Sequence, residues 1–207
     1  QYKKVNLETG VVGENTEDER NKRLAKQDVN VSTTDKELLI GFPSKKEGKM
    51  YPIPGVETFK LSADNKYVAF TKDVLVTPMN GSDIHKDLSK TTMQVYTDLN
   101  YRHWDTWEDG KFSHLHIMDV ATGTSKDIMM GEAFDCPQKP FGGAEDFEFS
   151  PDGKGIVYVC KKKVGKDYAQ STNTDIYYYD FVTGTTTNLT EGMMGYDMSP
   201  AFSPDGK

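Results

Sequence analysis

The chain has 207 residues, 36% of them hydrophobic and 28% charged, an ordinary globular composition that excludes wholesale disorder. Its 25 Lys+Arg against 32 Asp+Glu leave a formal charge of -7, which repels phosphate backbones and argues against nucleic acid as a partner. No apolar run reaches the roughly 18 residues of a membrane helix, so no membrane partner is expected, and residues 1–5 lack the plan of a secretory signal.

In chain order, a weak strand motif comes first, Val5-Asn6-Leu7-Glu8-Thr9-Gly10. Residues 16–28 are highly charged and read as a solvated loop or a short helix, with the choice open. Ser32-Thr33-Thr34-Asp35-Lys36 followed by Glu37-Leu38-Leu39-Ile40 is a degenerate hairpin signature, and it predicts a first blade over 29–58. The fuller signature is Leu61-Ser62-Ala63-Asp64-Asn65-Lys66, repeated as Phe149-Ser150-Pro151-Asp152-Gly153-Lys154 and Phe202-Ser203-Pro204-Asp205-Gly206-Lys207. Proline presets φ at the second turn position, aspartate accepts local backbone hydrogen bonds, and glycine or asparagine tolerates the left-handed closing residue. Strands rich in β-branched and aromatic residues follow, Tyr67-Val68-Ala69-Phe70 and Ile156-Val157-Tyr158-Val159.

A second motif comes after each of these strands. It is His114-Leu115-His116-Ile117-Met118-Asp119-Val120-Ala121-Thr122-Gly123 in one copy and Asp175-Ile176-Tyr177-Tyr178-Tyr179-Asp180-Phe181-Val182-Thr183-Gly184 in the other. Two hairpins in tandem make a four-stranded blade, and the span 147–190 matches the roughly 40–45 residues of one propeller blade. The preceding blade, 59–128, is longer because residues 72–111 read as an insertion, and 198–207 read as the start of a further blade. The expected fold is therefore all-β: one segment, 1–207, of a partial β-propeller with four-stranded antiparallel blades. Since an unpaired blade edge exposes apolar surface and backbone donors and acceptors, the remaining blades are expected as partners elsewhere in the polypeptide.

Residues 84–207 carry a specific resemblance. Tyr101-Arg102-His103-Trp104-Asp105-Thr106-Trp107-Glu108-Asp109-Gly110, Lys139-Pro140-Phe141-Gly142-Gly143, the stretch Cys160-Lys161-Lys162-Lys163 with Asp167-Tyr168-Ala169, Ser171-Thr172-Asn173-Thr174-Asp175-Ile176-Tyr177 and Gly195-Tyr196-Asp197 resemble the propeller of prolyl oligopeptidase family serine peptidases. The likeness is to the bacterial dipeptidyl-peptidase V and acylaminoacyl-peptidase kind. It implies a C-terminal α/β-hydrolase domain with a Ser-Asp-His triad as partner, short peptides as substrates, a propeller acting as their gate, and a periplasmic or secreted setting. No G-x-S-x-G elbow is present: Ser125 has Gly123 two residues before it but Asp127 two after. No catalytic residue is therefore expected within these 207 positions. The same blades would equally suit a non-enzymatic binding or scaffold module.

Two groups stand out as candidate substrate-binding residues. Glu145 and Asp146 form an acidic pair before an expected inner strand, where carboxylates could hold a protonated peptide amino terminus by charge-assisted hydrogen bonds, or else be solvated or cap a turn. Arg102 and Trp104 could shape the substrate entrance, or else anchor the insertion. His114 and His116 share a strand face, but no carboxylate or cysteine spacing beside them supports a metal. The Tyr177-Tyr178-Tyr179 run reads as strand packing. No calcium loop, phosphate loop or dinucleotide fingerprint appears, so no cofactor is expected. Asn30, Asn80 and Asn188 each open an N-x-S/T triplet, which matters only in a glycosylating cell. Cys136 and Cys160 fit two free thiols or one disulfide.

Overall fold

The computed structural model describes residues 3–5, 12–14, 30–34, 37–41, 52–99, 101–203 and 205–206. The charged stretch 16–28, most of the opening strand motif, and parts of the expected 29–58 and 198–207 units lie outside the described residues.

Fourteen strands follow one another among the described residues. Two hairpins come first, β1 Lys3–Val5 with β2 Val12–Glu14 and β3 Asn30–Thr34 with β4 Glu37–Gly41. β5 Val56–Leu61 and β6 Tyr67–Leu75 precede a small hairpin of β7 Arg102–His103 and β8 Thr106–Trp107. β9 Lys111–Asp119 and β10 Ser125–Asp127 complete a sheet in the order β10-β9-β6-β5. β11 Phe147–Phe149, β12 Gly155–Cys160, β13 Asp175–Asp180 and β14 Thr186–Asn188 form the next sheet in simple up-and-down order. All of these pairings are antiparallel, so the chain is a partial β-propeller of four-stranded antiparallel blades.

Side chains alternate across a strand, and here both faces are used. Ala69 of β6 with Leu115 and Ile117 of β9 meets Phe147, Phe149, Ile156, Tyr158 and Tyr177 of the neighbouring sheet in one core. On the opposite face Val68, Phe70 and Met118 pack with Leu38 of β4 in a second core. All six residues of β12 are buried, as expected of a strand covered on both sides. Burying an aromatic such as the fully enclosed Phe147 contributes about 1.5–3 kcal/mol, so a blade with one face bare forfeits much of its stability.

The repeated Ser-x-Asp motif builds one turn twice with the same bonds. Ser62 Oγ donates to Asp64 (2.8 Å) and accepts from the Tyr67 N–H (2.9 Å). Ser150 Oγ donates to Asp152 (2.7 Å) and accepts from the Gly155 N–H (3.0 Å). Asn65 and Gly153 take the left-handed conformation that closes each loop, at φ 60° and 69°. Asp119 and Asp180 do the equivalent work at the other short turns, accepting N–H bonds from Thr122 (2.8 Å) and from Val182 and Thr183 (2.7 and 2.8 Å).

Short turns leave one end of each sheet, so every long connection leaves the other. Residues 76–110, 128–146 and 161–174 therefore gather at a single end. β6 continues to Leu75 and pairs with β9 from Lys111, so the insertion expected over 72–111 begins four residues later, because Thr71, Val74 and Leu75 favour the ladder. Its stem is pinned where the Val76 and Thr77 N–H groups both donate to the Gly110 carbonyl (3.0 and 3.1 Å). Gly110 has φ +81°, and a Cβ there would collide with the Thr77 carbonyl oxygen. Gly192 has the same φ and open space around it. Gly110→Ala is therefore expected to cost well over 1 kcal/mol and Gly192→Ala only about 1 kcal/mol. Thermal or denaturant unfolding of the two variants checks this, and equal losses would contradict the role given to the stem.

Candidate functional site

The end that collects the long connections carries the concentrated chemistry. Within the insertion, Tyr96, Tyr101 and Trp107 stack on one another with ring centroids 5.4 to 6.1 Å apart. Backbone bonds lock this cluster to the following acid: Tyr96 Oη donates to the Glu108 carbonyl (2.9 Å), and the Glu108 N–H donates to the Tyr101 carbonyl (3.0 Å). Arg102 lies with its guanidinium 5.1 Å above the Trp107 ring and donates Nε–H to the Trp104 carbonyl (2.8 Å). Trp104 is 68% exposed, sits at φ 50°, and meets Phe141 edge-on at 5.9 Å.

That last contact joins the two groups singled out in the sequence, since Phe141 belongs to the loop bearing Glu145 and Asp146. The two acids do not act as a pair facing solvent. Glu145 is exposed, whereas Asp146 is buried and accepts the Gln138 N–H at 3.4 Å. Burial raises the Asp146 pKa, and the neighbouring Glu145 charge adds to the effect. Arg102 and Trp104 form an exposed rim that touches Phe141, and Asp146 fastens the loop that carries both Phe141 and the exposed Glu145.

Sequence reasoning passed over the hollow behind this rim. A cavity of about 290 Å³ opens between the insertion, the 128–146 connection and the 161–174 connection. Tyr96, Tyr101, Phe112, Phe134 and Tyr168 give it aromatic walls. Asp98, Glu108, Asp135 and Lys163 supply its charges. Asp135 is held by the Ser113 N–H (2.8 Å) and by Lys139 (3.1 Å). The Glu108 carboxylate has no hydrogen-bond or ion-pair partner among the described residues. Burial raises the pKa of both acids; the Asp135 charge raises Glu108 further, while Lys139 opposes both shifts. Tyr168 is pushed up to about 12 by burial and then by the Asp135 and Glu108 charges. The sequence signal was an aromatic-dense insertion ending in an acid, but its partners are distant in sequence.

The remaining candidates serve packing. Tyr177 and Tyr179 are buried in the inter-sheet core, and both cysteines are free and fully enclosed there, where burial pushes each thiol pKa upward. His114 is fully buried, its Nδ1 2.8 Å from Asp127 Oδ2 and its Nε2 2.8 Å from the Glu132 carbonyl. His116 stacks on Phe70 at 5.1 Å and places Nδ1 3.0 Å from the His114 carbonyl. Among the described residues no group of three or more His, Cys, Asp or Glu side chains could hold a metal ion.

No protein-family model matches the chain. Over 156 residues, 74% of this chain, it is 48% identical to dipeptidyl-peptidase 5 of Porphyromonas gingivalis, and the matched part is 22% of that relative's length. Dipeptidyl-peptidase 5 of Aspergillus fumigatus is 27% identical over 177 residues, covering 73% of this chain and 24% of the relative. Among solved structures, TolB from Acinetobacter baumannii aligns over 86% of this chain and 34% of its own, with a TM-score of 0.43 and 19% identity. The chain thus spans less than a quarter of the length of the curated dipeptidyl peptidases it matches.

The two histidines make a test of the buried electrostatics. Burial alone would lower the His114 pKa, but the Asp127 hydrogen bond and charge outweigh it and the net shift is upward from 6.5. For His116 burial wins and the shift is downward. Linkage then gives opposite signs: the His114 contribution is complete below 6.5 and lost as pH rises through its raised value. The His116 contribution is complete above 6.5 and lost as pH falls through its lowered value. Imidazole NMR titration should find the two on opposite sides of 6.5, and Asp127→Asn should bring His114 below it. A His114 unmoved by that substitution would refute the assignment.

Proposed function

We propose that this chain is a propeller segment of a prolyl oligopeptidase family serine exopeptidase that removes dipeptides from short peptides. The observation that carries the proposal is the 48% identity to dipeptidyl-peptidase 5 of Porphyromonas gingivalis over 156 residues, 74% of this chain. These 207 residues hold no nucleophile elbow, so the reaction falls to an α/β-hydrolase domain of the same polypeptide, working in the periplasm or outside the cell.

In this reading the end with the long connections faces the catalytic domain. The exposed Trp104 and Phe141 pair, with Arg102 behind it, narrows the approach, so that short or unfolded peptides pass and folded chains do not. Glu145 offers an exposed carboxylate to a peptide's protonated amino terminus, and a charge-assisted hydrogen bond of that kind contributes about 1.5–3 kcal/mol.

The intact polypeptide should hydrolyse dipeptidyl anilides and be inactivated by a serine-directed phosphonate. Glu145→Gln should raise KM about tenfold or more while kcat changes little, as for lost ground-state binding. Trp104→Ala should increase cleavage of long peptides relative to tripeptides. An intact polypeptide that neither hydrolyses these substrates nor reacts with the phosphonate would instead be a binding or scaffold module.

A further inference from the structure

We infer that His114 is a proton-operated latch on the 129–134 segment: as an imidazolium it donates from both ring nitrogens and pins that segment to β9, and on losing its proton it lets the Glu132 carbonyl go. The latch operates whatever reaction the rest of the polypeptide catalyses. It uses none of Arg102, Trp104, Glu145 or Asp146.

The argument starts from geometry. His114 is fully buried, with Nδ1 2.8 Å from Asp127 Oδ2 and Nε2 2.8 Å from the Glu132 carbonyl oxygen. A carbonyl oxygen accepts and does not donate, and an ionised carboxylate does the same. Asp127 is held in that ionised form: burial would raise its pKa, but the hydrogen bonds from His114 and from the Met129 N–H (2.8 Å to Oδ1) outweigh it, and the net shift is downward. A neutral imidazole carries one N–H, so it satisfies one of these contacts and sets a lone pair against the other acceptor. Only the imidazolium makes both. When the proton leaves, the remaining N–H stays with the charged acceptor, because a lone pair facing a carboxylate costs more than one facing a carbonyl. The bond to Glu132 is therefore the one that opens.

Other bonds sew down the flanks of the segment. The Ile128 N–H donates to the Leu115 carbonyl (3.1 Å) and the Cys136 N–H to the Ser113 carbonyl (2.8 Å), so both ends stay on β9 without His114. Between them the Glu132 N–H closes a turn onto the Met129 carbonyl (2.9 Å), and Lys162 holds the Glu132 carboxylate from the 161–174 connection (2.7 Å). Ala133 and Phe134 line the cavity, so a proton taken up outside the cavity fixes one of its walls. The charged groups that face the ring are Asp127 from β10, Glu132 from the 128–146 connection, and Lys72, the register partner of His114 on β6. His116 lies two positions along β9, and burial lowers its pKa, so it is neutral wherever the latch opens. For His114 burial also pulls downward, but the Asp127 bond and charge, followed by Glu132, raise it overall. The latch is thus closed at low pH and opens as pH rises through that raised value.

Hydrogen exchange of the intact polypeptide tests this, with each rate divided by its intrinsic rate at the same pH. Protection of residues 129–134 should fall about tenfold or more through a one-proton transition whose midpoint lies above 6.5, as loss of a charge-assisted bond requires. The Ile128 and Cys136 amides should keep their protection across the same range. Asp127→Asn should move the midpoint down by about one pH unit or more, since the charge that holds the proton is gone. His114→Gln carries no charge and cannot fork to both acceptors, so its segment should exchange fast at every pH in the range. Melting temperatures report whether the two variants are folded, and the unaltered protein decides alone where one is not. Protection that is flat with pH in the unaltered protein, a midpoint that Asp127→Asn leaves in place, or loss at Ile128 and Cys136 in step with the segment would overturn the assignment.

Discussion

Everything in this molecule depends on sheets that are apolar on both faces. A sheet with one wet face can close a core by itself, but β12 buries all six of its residues and β6 and β9 send side chains into two different cores. Such a sheet is stable only between neighbours. Radial stacking follows, with Leu38 marking where the β3–β4 hairpin leans on one side of the β5-β6-β9-β10 sheet and Phe147 marking the next sheet on the other. Antiparallel order within each sheet then sorts the connections by end. The short turns are closed by their own serine and aspartate side chains, and everything longer is pushed to the opposite end, where a functional surface can be elaborated without disturbing the stack.

The fold was legible in the sequence because its signals are local. Ser62, Asp64 and Asn65, with Ser150, Asp152 and Gly153, encode a turn within six residues, and the structure shows the same bonds in both copies. Alternation and β-branched content gave the strands in the same way. The start of the insertion was misplaced because Lys72 and Asp73 look like loop residues, whereas they lie in an exposed continuation of the β6 ladder whose partners, His114 and Ser113, are about forty residues away.

The site was less legible, and for a physical reason. Arg102, Trp104, Glu145 and Asp146 attract attention because they are charged or aromatic neighbours in sequence, yet burial separates the last two, and only a ring contact between Trp104 and Phe141 joins the first two to them. Glu108 and Asp135 are 27 positions apart and each is unremarkable in its own segment. Their mutual influence appears only when two connections leave the same end of adjacent blades.

The distribution of acids around that end has a consequence for how the surface works. Asp127 beside His114 and Asp135 beside Lys139 are compensated: the first pair ties β10 to β9, and the second closes within the 128–146 connection, which Asp135 also fixes to β9 through the Ser113 N–H. Glu108 lies within reach of the Asp135 and Lys139 charges but outside their bond, partly exposed among aromatic rings.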